Sequence, residues 1–220
     1  MKLYQFAWGP YPRRIHIYMK EKDIQDIELV DIDVVRGESR TPEFLAKNPL
    51  GTVPVLETDD GQFIRQSSSI LQYLEQRYPT PNMIGNTPED VARTRDLLAV
   101  VNEAYSFAVI CTFHASPLFV ERRDQKADAA QAFHFEYTRT LKLLEALVGD
   151  GEYMGGSTPN IADIAFFASE QYMRSLYQLQ LPTEQVKLEA IYQRFAQRPS
   201  AHPEPYPQIL VEHAPLRHLA

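Results

Sequence analysis

The periodicity of apolar residues changes once along this chain, near residue 80, and that change limits the folds open to it. Before it, short alternating runs are interleaved with brief helical patterns. Leu3-Tyr4-Gln5-Phe6 reads as a strand. After a Gly9-Pro10-Tyr11-Pro12 break, Ile15, Tyr18 and Met19 recur at helical spacing, which predicts a helix to about Lys22. From Glu28 to Val34, Val30, Ile32 and Val34 alternate with Leu29, Asp31 and Asp33, the pattern of a second strand. Thr41-Pro42-Glu43-Phe44-Leu45 predicts a short helix with Thr41 as N-cap and proline at its first position. Val53 to Glu57 and Gln62 to Arg65 flank Asp59-Asp60-Gly61, a hairpin signal, and Ser68 to Arg77 is helical before Pro79.

Beyond residue 80 only helical patterns remain. Leu98, Val101, Tyr105 and Ala108 form one stripe, and Leu141, Leu144 and Val148 another. Ile161 to Leu179 and Val186 to Ala196 supply two more helices. The expected organisation is therefore an α/β unit at 1–79, ordered β-α-β-α-β-β-α, a linker at 80–88 and an all-α unit at 89–220. Past Arg198, prolines 199, 203, 205, 207 and 215 predict an extended tail.

Composition removes several functions. The net charge is −7, so a phosphate-backbone binder is not expected, and any anionic ligand must be held by local groups. A single cysteine, Cys111, excludes a disulfide scaffold and a cysteine-rich zinc site and suits a reducing cytoplasm. The six histidines, His218 among them, make no close metal spacing, so no metal is expected. No signal sequence opens the chain and no uninterrupted apolar run reaches the roughly 20 residues of a membrane span.

Three short segments can carry chemistry. Asn48-Pro49-Leu50-Gly51-Thr52-Val53-Pro54-Val55-Leu56 puts a proline where a strand begins. Proline cannot donate to a ladder, so Pro54 is either a plain edge residue or leaves Val53 to pair with an extended peptide. Arg65-Gln66-Ser67-Ser68-Ser69-Ile70 is a strand-to-helix junction. Its serines either cap the helix or join the free amides in binding a carboxylate. In Thr158-Pro159-Asn160-Ile161-Ala162-Asp163-Ile164, Asn160 and Asp163 form a structural capping box.

Taken together and in this order, the three segments resemble the cytosolic glutathione S-transferase superfamily over nearly the whole chain. The resemblance implies a thioredoxin-like N-terminal domain followed by an all-helical C-terminal domain. It implies that Val53, before the family's cis-proline at Pro54, pairs with the cysteinyl part of glutathione, and that Gln66 and Ser67 hold the γ-glutamyl end. Arg40, Lys47 and Arg36 are candidates by location for the glycyl carboxylate, each equally readable as a surface cation. The family places a Tyr, Ser or Cys near the start of the first helix to stabilise the glutathione thiolate. Here Gly9 or Pro10 stands where serine is frequent, which leaves Tyr11 as the local hydroxyl donor, or a backbone amide near Gly9 or Tyr11. Trp8, Tyr105 and His114 are candidates for an apolar acceptor pocket, or for core.

The implied activity is conjugation of glutathione to a small hydrophobic electrophile in detoxification, with peroxide reduction or isomerisation as near variants. A cytoplasmic homodimer is implied as well. The rival from another class is a non-catalytic glutathione-binding or protein-interaction member of the same fold, which the Gly9-Pro10 departure favours.

Overall fold

The computed structural model describes residues 1–202 and 205–216. Two compact units result, one from Met1–Met83 joined by the stretch that starts at Pro199, the other from Ile84–Arg198 with the segment that starts at Pro205. The expected positions of Pro203 and His218 lie outside the described residues.

The first unit is a four-stranded sheet in the order β2-β1-β3-β4, built from β1 (Lys2–Gln5), β2 (Glu28–Asp31), β3 (Val55–Glu57) and β4 (Phe63–Ile64). β1 pairs parallel with β2 and antiparallel with β3, and β3 pairs antiparallel with β4. Helices α1 (Pro10–Glu21), α2 (Pro42–Lys47) and α3 (Ser67–Arg77) complete it. β2, β3 and β4 are shorter than their alternating patterns predict, and β1 keeps its expected length but sits one residue earlier, because local turns take the backbone first. Val34 N–H already donates to Ile32 and Gly37 N–H to Val34, which closes β2 at Asp31. Gly9 N–H donates to Phe6, which takes Phe6 out of β1. Thr41 caps α2 through the Phe44 amide, with Pro42 at the first position, as its sequence demands.

α1 and α3 run side by side, fixed at their C-terminal ends by a buried cluster. Glu75 accepts from Tyr18 Oη at 2.5 Å, pairs with Lys22 Nζ at 2.6 Å and accepts the Met83 amide at 2.8 Å. Lys22 also donates to the Tyr78 carbonyl. The 199–202 stretch returns to this unit, where Ser200 Oγ meets the Glu21 carboxylate and Lys20 donates to the His202 carbonyl.

On the second turn of α1, His16 has its Nε2 buried with no partner among the described residues. Burial, reinforced by the charges of Lys20 and Arg13, pushes its imidazole down to about 4, and Asp31 only partly opposes this. An unfolded histidine titrates near ~6.5, so between those values the unfolded chain binds a proton that the folded chain refuses. Stability is therefore complete above that range and falls as pH drops through it. Urea melts at pH 7 and pH 4.5 should differ by about 2 kcal/mol more in the parent than in His16→Gln, the shift being discounted for the ring's residual solvent contact. Equal acid sensitivity in the two proteins would remove His16 from the account.

The second unit is helical: α4 (Pro88–Ala115), α5 (Ala127–Leu147), α6 (Ile161–Tyr177), α7 (Val186–Ala196) and α8 (Gln208–His213). α4 starts on a capping box from Thr87 and Asp90 with Pro88 at its first position. α4 holds no unbroken apolar run of the roughly 20 residues of a membrane span, yet by length and mean hydropathy alone it is long and apolar enough to cross a membrane. The polar pair Asn102-Glu103 hides this from a search for unbroken apolar sequence. Its apolar side, Leu97, Leu98, Val101, Ala104 and Ala108, is core that packs on α5 and α6. Asn160 and Asp163 make the expected capping box, and the Asp163 carboxylate also accepts from Met154 and Gly155. The tail is not extended throughout: Pro199–Ala201 is a 3-10 turn, and α8 follows directly on Pro207.

Candidate functional site

Ladder register brings three separate stretches to one end of the sheet. β1 and β3 end their pairing at Tyr4 opposite Val55, so the next position sets Gln5 opposite Pro54. β3 and β4 pair Leu56 with Ile64, so two positions on, Pro54 faces Gln66. β1 leaves that end toward Gly9 and α1, and β4 leaves it directly into α3. The α1 start, the Val53-Pro54 bond and the α3 start thus lie across three neighbouring strands, a span of about 10 Å. The parallel run of α1 and α3 back from the Glu75 cluster brings both positive helix ends there too.

The middle stretch presents a free peptide edge. The Val53–Pro54 bond is cis, as is Thr80–Pro81, which the sequence does not signal. Pro54 is buried, and among the described residues no backbone group takes the Val53 N–H or C=O. The loop before it hangs on Asn48, which is fully buried. Its amide nitrogen donates to the Thr52 carbonyl at 2.7 Å and to Thr52 Oγ1 at 3.1 Å, and its oxygen accepts the Leu50 amide. Asn48 belongs to the quoted motif, but its part as organiser was not legible.

At the α3 start, Gln66 occupies the N-cap position and makes no side-chain capping bond. Ser67 is not the cap; it is the first helical residue, and it is buried. The N-cap of this junction is therefore a glutamine, with the serines inside the helix.

The α1 start is poor in donors. Gly9 is the N-cap and has no side chain to cap with. Its own N–H is spent on Phe6, Pro10 and Pro12 have none, and Arg13 N–H donates to Gly9. Tyr11 N–H is left as the one first-turn amide with no backbone acceptor among the described residues. The Tyr11 ring lies under the Arg14 guanidinium, 4.8 Å from its centroid. Arg13 and Arg14 are almost completely buried, two cations in the opening turns that the sequence reading left unassigned. Trp8 stacks edge-on against Phe6, and its indole Nε1 is buried with no acceptor among the described residues.

The three basic candidates separate clearly. Arg36 is highly exposed and pairs with Asp33. Lys47 sets its ammonium over the rings of Tyr4 and Phe63, at 5.1 Å and 5.2 Å. Arg40 donates from Nη1 to the Leu50 carbonyl at 3.0 Å, in the loop that carries Pro54.

Of the two expected pocket residues in the second unit, Tyr105 is 1% exposed and donates to buried Glu170 at 2.6 Å. His114 is half-buried, accepts the Lys126 amide through Nδ1 and stacks on Phe133, which ties the end of α4 to the start of α5. Cys111 is buried, donates weakly to the Ala130 carbonyl and has its thiol pushed up to about 11 by burial, so it serves as packing. Among the described residues no cluster of His, Cys, Asp and Glu could hold a metal.

Comparison with known proteins points one way. Residues 3–82 match the model for the glutathione S-transferase N-terminal domain, and residues 112–202 that for the C-terminal domain. Glutathione S-transferase 2 of Saccharomyces cerevisiae is 30% identical over 216 residues, covering 91% of this chain and 87% of that protein. Maleylacetoacetate isomerase of Pseudomonas aeruginosa is 31% identical over 184 residues, covering 78% of this chain and 82% of that protein. The crystal structure of Gtt2 from Saccharomyces cerevisiae matches with a TM-score of 0.81 at 31% identity, over 91% of this chain and 98% of that one.

Proposed function

The chain belongs to the glutathione S-transferase family, and from that premise we propose that it binds glutathione across the sheet end described above and activates its thiol for attack on an apolar electrophile. What supports this reading is the Val53 backbone just ahead of β3, whose N–H and C=O meet no backbone partner among the described residues, together with an α3 N-cap, Gln66, that makes no side-chain capping bond. A short peptide running antiparallel to Val53 gains two main-chain hydrogen bonds there. The γ-glutamyl carboxylate then meets the α3 amides and Ser67, and Gln66 meets the ammonium. Arg40 takes the glycyl carboxylate, because Arg36 is tied to Asp33 and Lys47 to its two rings.

The sulfur falls toward α1. A free thiol titrates near about 8.5, so only a small share is thiolate at neutral pH. The Tyr11 N–H, the positive end of α1 and the buried charges of Arg13 and Arg14 all favour the anion. Thiolate then adds to or displaces at the electrophilic carbon, and its charge leaves with the leaving group or is quenched by a proton. Trp8 supplies an apolar wall. The same thiolate can add reversibly to an activated double bond, which is the isomerase chemistry suggested by the maleylacetoacetate isomerase relative. A homodimer in the cytoplasm is the matching proposal for assembly and location.

The test is glutathione conjugation to an activated aryl halide, with Ser67→Ala beside the parent. Loss of a hydrogen bond to a charged group predicts a KM for glutathione raised about tenfold, with kcat little changed. A parent that binds glutathione with an unshifted thiol and conjugates nothing would leave only a binding protein.

A further inference from the structure

We propose that Gly51 is a positioning residue for the carboxylate-reading guanidinium of Arg40, an inference that rests on the assignment of Arg40 to the glycyl carboxylate. Gly51 is buried at φ +60, in the left-handed region, and its amide closes the turn onto Asn48. A β-carbon placed there would lie 2.6 Å from Arg40 Nη1, 2.9 Å from its Cζ and 2.8 Å from the Ser39 carbonyl oxygen. The first two atoms belong to a flexible side chain and could move. The third is backbone, so the 3-10 turn Glu38–Arg40 would have to back away from the loop. The bare Cα of Gly51 thus leaves the space that the guanidinium occupies, with Nη1 held by the Leu50 carbonyl at 3.0 Å.

Two other glycines separate this effect from backbone strain. Gly37 and Gly61 also have positive φ, +84 and +80, and a β-carbon at either meets nothing within 4 Å. Alanine at those two positions carries the left-handed penalty alone. Alanine at Gly51 carries the penalty and also unseats Arg40.

The experiment is calorimetric titration of the whole protein with glutathione and with γ-glutamylcysteine, which lacks the glycyl residue. Gly51→Ala and Arg40→Gln should each weaken glutathione about tenfold, the size of one charge-assisted hydrogen bond, and leave γ-glutamylcysteine unaffected. The double variant should be no worse than either single one, since both remove the same contact. Gly37→Ala and Gly61→Ala should bind both peptides like the parent. Gly51→Asn, a residue that tolerates the left-handed region, repeats the test should the alanine variant fold poorly. Equal loss of both peptides in the Gly51 variants would overturn the inference, as a collapsed loop would do that. Loss in Arg40→Gln with none in Gly51→Ala would overturn the role of Gly51 and leave that of Arg40. An unchanged preference in Arg40→Gln would instead remove the carboxylate assignment beneath it.

Discussion

Replacing Glu170 with alanine should cost the second unit about 4 kcal/mol of stability, the range measured when one partner of a buried ion pair is removed. The Glu170 side chain is fully buried and sits at a four-way junction. It accepts from Tyr105 at 2.6 Å, from Tyr137 at 3.3 Å and from Arg174 Nε at 2.6 Å, and Arg174 runs on to Glu189 at 2.5 Å. Burial raises the Glu170 carboxyl pKa, opposed chiefly by the Arg174 charge, so the pair is held together by geometry rather than by a comfortable environment. Alanine strands two buried phenols and half of a guanidinium's partners at once, and opens a cavity as well. Glu170→Gln keeps an acceptor for the phenols and should cost about half as much. Denaturant melts compared at equal m-value measure both; an alanine variant within about 1 kcal/mol of the parent would show that water replaces the carboxylate.

That junction marks where the sequence stops being readable. Tyr105 falls on the apolar stripe with Leu98, Val101 and Ala108, and it is indeed buried with them. Its partner Glu170 lies 65 residues away in an apolar run, and no periodicity says which buried tyrosine a buried glutamate will meet. The same limit separates the two halves of the site. That Pro54, Gln66 and Ser67 lie close together could be read from the sequence because a short hairpin joins them: once Asp59-Asp60-Gly61 turns the chain, extending the Leu56–Ile64 register by two positions sets Pro54 across from Gln66. Arg40 and Gly51 were each named from the sequence, yet their contact is a matter of a few tenths of an ångström in a loop. Strand lengths were overread for a related reason. Alternation persists through Val34, but the tight turn centred on Asp33, closed by Val34 N–H on the Ile32 carbonyl, ends the ladder first, and backbone hydrogen bonds outrank pattern.

The α1 start is the place where two nearly identical changes should part company. Tyr11→Phe removes the hydroxyl and keeps the amide. Tyr11→Pro keeps a ring of carbon and removes the amide, at a position in the first helical turn where proline is tolerated and where Pro10 and Pro12 already stand. If the Tyr11 N–H is the donor to the sulfur, bound glutathione in Tyr11→Phe should keep its depressed thiol pKa, and in Tyr11→Pro should return toward about 8.5. Turnover at neutral pH should fall about a hundredfold in the proline variant, the usual loss when one preorganised donor to a developing anion is removed. Affinity for glutathione should change far less, because the γ-glutamyl and glycyl contacts lie on α3 and the Pro54 loop. The ultraviolet band of the bound thiolate, followed against pH, reads all of this directly, with melts of each variant to show that α1 still forms. Recovery of the free-thiol pKa in Tyr11→Phe would return the role to the hydroxyl. A depressed pKa surviving in Tyr11→Pro would move it to the buried Arg13 and Arg14 charges or to the Trp8 indole, whose N–H also lacks an acceptor among the described residues.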